Sequence, residues 1–81
     1  MTELELRRRV GWHAREKRER AGLHQATVAR SAGLSRLAVV RLEASQKTPS
    51  SWTLYRLAWA LECSLDDLTA PIPSATEEAS S

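Results

Sequence analysis

The residues here with chemistry to offer are two histidines, one cysteine, ten carboxylates and twelve lysines and arginines. His13 and His24 have no partner at metal-ligand or catalytic spacing, and both read as surface residues. Cys63 stands alone, so no disulfide can close within the chain, and it reads as a small semi-buried apolar group. Asp66-Asp67 reads as negative charge at the start of a helix, not as an acid–base pair. No nucleophile–base pair, phosphate-cradling glycine loop or metal set is present, so the expectation is no enzyme, no metal and no cofactor. The charges remain. Residues 1–47 carry a net +6 and residues 48–81 a net −4, within an overall +2. A basic half of this kind suits a polyanion, although a solvated helix surface has a similar composition. Spacing has to decide between them.

The elements that must position these charges are helices. Glycine and proline are scarce, phenylalanine is absent, and apolar residues recur every three or four positions. Thr2 with Glu5 fits a capping box opening a first helix. Its stripe is Leu6, Val10, Ala14, Arg18 and Ala21. Gly11 should weaken this helix by about 1 kcal/mol relative to alanine, and Gly22 is placed to end it. A second helix covers about Gln25 to Ala32, turning inward with Val28 and Ala29. Gly33 suits a left-handed turn, Leu34 plugs it, and Ser35 caps a third helix over about Arg36 to Ala44 with Val39 and Leu42 inside. After a loop at Lys47–Ser51, a fourth helix runs from about Trp52 to Leu61 and buries Leu54, Leu57, Ala58 and Leu61. Ser64 with Asp67 opens a short fifth helix that Pro71-Ile72-Pro73 stops. The fold class is all-α, one domain over residues 1–70, with 71–81 a flexible tail whose last eight residues are expected to be disordered.

A core this small is marginal, and a second copy is a cheap way to bury more apolar surface. Apolar runs are far shorter than the roughly 20 residues that cross a bilayer. The N-terminus lacks the order of a signal peptide, so a cytoplasmic protein with no membrane partner is expected.

The segment Gln25–Glu43 holds two short helices joined by a glycine-bearing turn with an apolar plug. That is a helix-turn-helix, which presents its second helix to the DNA major groove. These residues resemble the Cro/CI-type phage repressor family, also called the Xre family. The likeness covers about Val10 to Leu68: Arg18, Gly22-Leu23, Gln25, Ala29, Gly33-Leu34-Ser35, Leu42-Glu43, Pro49-Ser50, Leu57-Ala58, Ala60-Leu61 and Ser64 to Leu68 stand in the family's order and spacing.

The resemblance implies a five-helix, lambda-repressor-like DNA-binding domain. In it Arg18 would pair with Glu43, a forked guanidinium–carboxylate contact that fixes the recognition helix. Gln25 would touch a phosphate at the start of the second helix. The groove-facing set would be Arg36, Leu37, Val40 and Arg41, with Ser35 at the backbone. Arginine can grip guanine and an apolar side chain can meet a thymine methyl. Arg41 could equally hold a phosphate, and Leu37 and Val40 could instead pack within the domain or on a partner. Lys47 and Thr48 would touch the backbone again, which sets register without reading sequence. Three positions depart from the family pattern. His24 replaces the usual Ser/Thr cap, Ala44-Ser45 lacks the glycine after the glutamate, and Glu62 stands where glycine often follows the fourth helix.

Trp12 and Trp59 lie off the apolar stripes of their helices. Trp59 with Leu65, Leu68 and Ile72 could form a dimer contact, and Trp52 could lean toward the DNA backbone. The leading expectation is a sequence-specific regulator of transcription, a repressor or autoregulator, binding a pseudo-palindromic duplex as a homodimer. The alternative is an antitoxin-type module whose main partner is another protein.

Overall fold

The computed structural model describes residues 1–73; the expected disorder of 74–81 lies outside them. Five helices follow in order: α1 (Glu3–Arg20), α2 (Gln25–Ala32), α3 (Arg36–Glu43), α4 (Ser51–Ala60) and α5 (Leu65–Thr69). Their starts obey side-chain chemistry. The hydroxyls of Thr2, Ser35, Ser50 and Ser64 each accept a first-turn backbone N–H, and only Ser64 with Asp67 closes a full capping box. Glu5, expected to reciprocate for Thr2, instead accepts from Arg9 at 2.7 Å.

The first four helices end alike. In each, a residue at or just past the C-cap donates three residues back and its successor donates five back: Gly22 and Leu23, Gly33 and Leu34, Ser45 and Gln46, Glu62 and Cys63. The motif needs a left-handed residue, and Gly22, Gly33, Ser45 and Glu62 all take positive φ. So the missing glycines do not change the geometry. Ser45 and Glu62 adopt it regardless, at a cost of about 1–2 kcal/mol each.

The core gathers Val10, Ala14, Val28, Leu42, Leu57, Ala58 and Leu68, with Leu6, Leu23, Leu34, Leu54 and Leu61 packed around it. Helix α1 lies on α3 and α5, and α2 lies on α3 and α4. Three expectations are corrected here. Ala21 is exposed, because α1 ends before its stripe reaches it. Leu54 and Leu61 are only partly buried. Gly11 is buried, and a Cβ there would meet the Leu42 carbonyl at 2.6 Å and the Glu43 carbonyl at 3.1 Å. It is the point where α1 presses on the end of α3, so alanine would clash rather than help.

The packed unit also runs past residue 70. Arg9 Nη1 donates to Thr69 O at 3.1 Å, and His13 Nε2 lies 3.0 Å from Ala70 O. Ile72 is half-buried among Glu5, Arg8 and Arg9. Pro71 and Ile72, expected in the tail, lie beside α1. Burial pushes the Cys63 thiol up, so it stays protonated as a small packing group. Among the described residues no helix is long and apolar enough to cross a membrane.

Candidate nucleic-acid interface

One ion pair ties the end of α3 to α1 and holds its orientation. Arg18 Nε donates to Glu43 Oε2 at 2.7 Å and Nη2 donates to Oε1 at 3.0 Å. The third guanidinium nitrogen donates to Leu23 O at 2.9 Å, tying in the end of α1. The two side chains are 14% and 5% exposed. A fork this far out of water holds direction as well as charge. The hydrogen bond that Arg18 donates to Glu43 raises the Arg18 pKa above an already high value, so the pair cannot lose its positive partner near neutral pH. Gln25 Nε2 joins it, donating to Glu43 Oε1 at 3.2 Å.

With its inner face fixed, α3 turns Arg36, Leu37 and Arg41 to solvent. Ser35 spends its hydroxyl on Ala38 N at 3.0 Å. Val40 is half-buried at the side of an open cleft that also carries Arg15, His24, Gln25, Ala26 and Arg36. His24 gives α2 no side-chain cap. Thr27 N donates instead to the His24 carbonyl at 3.0 Å, and the Gln25 and Ala26 backbone at the mouth of that cleft has no side-chain cap. Beyond α3, Lys47 is exposed, while Thr48 is half-buried and its Oγ1 accepts from Arg7 Nε at 2.6 Å.

This two-helix frame has a known counterpart. The profile of the Helix-turn-helix family matches residues 15–68, two thirds of the chain. The chain belongs to the helix-turn-helix family. Solved structures agree with this membership. The restriction-modification controller protein C.AhdI from Aeromonas hydrophila is 34% identical, with 76% of this chain and 94% of that one covered and a TM-score of 0.73. The P22 c2 repressor, solved with a synthetic operator, is 31% identical over 75% of this chain and 92% of its own, with a TM-score of 0.71. The hypothetical transcription factor NHTF from Neisseria is 25% identical over 99% of this chain and 88% of its own, with a TM-score of 0.79. A search of curated proteins returns no match.

Within the helix-turn-helix frame, Arg18, Gln25, Ser35, Arg36, Val40 and Glu43 lie close around the cleft and the start of α3. Lys47 and Thr48 lie beyond the other end of α3. The suggested dimer cluster does not form one surface. Leu68 is fully buried in the core, because α5 turns it onto α1 and α4. Ile72 lies on α1, whereas Trp59 lies beside Arg30 to Gly33. Trp59 is instead continuous with its own helix. Trp52, Tyr55, Arg56 and Trp59 follow at i, i+3, i+4 and i+7, with Trp52 stacked on Tyr55 at 5.8 Å and the Arg56 guanidinium 4.9 Å from the Trp52 ring. These three aromatics are 60%, 54% and 68% exposed. Tyr55, Arg56, Arg7 and Arg15 were missed by sequence reasoning; the signal for each was helical spacing.

Proposed function

We propose that this protein is a sequence-specific regulator of transcription that lays α3 in the major groove of duplex DNA. The observation that carries the reading is the Arg18–Glu43 fork, which holds the exposed Arg36–Arg41 face in a single orientation. Arg36 would grip guanine, Leu37 or Val40 would meet a thymine methyl, and Arg41 would hold a base edge or phosphate. Gln25, Ser35, Lys47 and Thr48 would set register on the backbone. Gln25 would do so through the amide hydrogen that Glu43 leaves free and through its backbone N–H. C.AhdI is named a restriction-modification controller and the P22 c2 repressor was solved on an operator, which supports repression or autoregulation here.

One chain supplies one recognition helix. The exposed aromatic stripe of α4 is the surface we assign to a second copy, giving a symmetric dimer on a pseudo-palindrome. Selection of bound duplexes from a random pool tests this. The reading expects two related half-sites spaced about one DNA turn, roughly 10–10.5 bp; no enrichment, even in low salt, would refute it. A second reading, an antitoxin-type module that docks another protein, rests on the same stripe and on exposed Leu37. Stable co-purification with a different protein, with no enriched duplex, would favour it.

A further inference from the structure

Six arginines line α1, and they divide by face. At about 100° per residue, Arg7, Gly11, Arg15 and Arg18 recur in steps of four, four and three, and Arg8 lies seven before Arg15. These residues share roughly a third of the helix circumference. Arg9 and Arg20 lie on the far side, where Glu5 and Glu16 hold them at 2.7 and 2.8 Å.

The shared face is the one pressed on α3. As α1 runs back toward its N-terminus, its contacts run forward along the chain beyond the recognition helix. Arg18 meets Glu43, Gly11 meets Leu42, Glu43 and Ser45, and Arg7 meets Thr48. Arg7 is thereby delivered to the loop that carries Lys47. Arg15 lines the same cleft as Arg36 and the uncapped start of α2. Arg18 is committed to Glu43, but the other two are not consumed in this way. The Arg15 side chain is 63% exposed and meets Glu19 only at 3.5 Å, and Arg7 meets Glu3 at 3.8 Å. Exposed pairs this loose hold little energy and yield easily to a better anion.

We propose that α1 adds two phosphate contacts to the DNA interface: Arg15 beside the start of α2 and Arg7 beside the Lys47-Thr48 loop. Arg7 precedes the segment that the family profile matches, residues 15–68. Its contact therefore lies outside the matched segment. The inference rests on the DNA-binding reading above and extends its footprint to backbone flanking the bases that α3 meets. Neither contact reads sequence. Both set affinity and register.

The test is the salt dependence of binding to a duplex selected from a random pool. Each phosphate contact contributes about 0.9 to the slope of log K against log salt. Arg7→Gln and Arg15→Gln should each flatten the slope by about that much, while Arg20→Gln, which removes the same charge from the far side, should not. Arg7→Lys should keep the slope, which separates lost charge from a disturbed Thr48 loop; circular dichroism checks that each variant stays helical. Neutral methylphosphonate linkages flanking the half-site should erase the difference between wild type and the Gln variants. Slopes equal to wild type in Arg7→Gln and Arg15→Gln, or an equal change in Arg20→Gln, would overturn the proposal. A wild-type chain that binds no duplex fails the DNA reading itself, which is a separate result.

Discussion

The outward faces of α3 and α4 are built on opposite principles. The α3 face is basic and is held from behind by a polar fork: Arg18, Glu43 and Gln25 lock the helix, and Arg36 and Arg41 stand free of it. The α4 face is aromatic, and its single charge, Arg56, lies over Trp52 with Nη1 donating to Gly33 O at 3.2 Å. A polyanion suits the first face, since guanidinium groups gain from phosphate and base edges. It has little to offer the second, where about 60% exposure of three large rings leaves apolar area to be covered. The difference in chemistry matches the division of labour proposed above, with α3 set toward DNA and α4 toward a second copy.

The sharpest way to break this contrast is at its polar support. Glu43→Ala strands Arg18 beneath α3, and removing one member of a buried pair costs about 3–5 kcal/mol. Urea unfolding should show that loss, and DNA affinity should fall with it. On the other face, Trp59→Ser should leave the unfolding midpoint of the monomer nearly unchanged. It should weaken self-association by about 2 kcal/mol if Trp59 is a hot spot. Sedimentation would read this, and affinity should drop on a two-half-site duplex but not on a single half-site. Gly11→Ala probes the α1–α3 approach. Helix propensity alone would make it stabilising by about 1 kcal/mol, whereas a clash with two carbonyls makes it destabilising by about 1–3 kcal/mol. Glu62→Gly, just after α4, relieves a left-handed glutamate and should stabilise by about 0.5–1 kcal/mol after the chain-entropy cost of glycine. Thermal melts distinguish the two signs.

Where the physics is local, the residues announced themselves. Gly33, Ser35 and Ser64 take the turn and cap roles their types favour, and Arg18 and Glu43 stand in a register that implied their pairing. What was illegible depended on neighbours remote in sequence. Nothing local distinguishes Leu68, in the core, from Leu65, half exposed one turn earlier. Gly11 is a helix weakener until Leu42 O lies against it. Ile72 reads as tail until Arg9 and His13 hold the carbonyls before it. The suggested dimer cluster loses Leu68 for this reason, since that side chain is fully buried in the core. Trp59 belongs instead with Trp52 and Tyr55, a stripe visible only at helical spacing.

The claim that α3 reads bases is tested most directly by Arg36→Ala, assayed against a selected duplex and a series with single base-pair changes. The account predicts a loss of about 1–3 kcal/mol on the selected duplex, with discrimination relaxed at one base pair and retained at the rest. An equal loss on every duplex in the series would contradict it, and would make Arg36 a phosphate contact only.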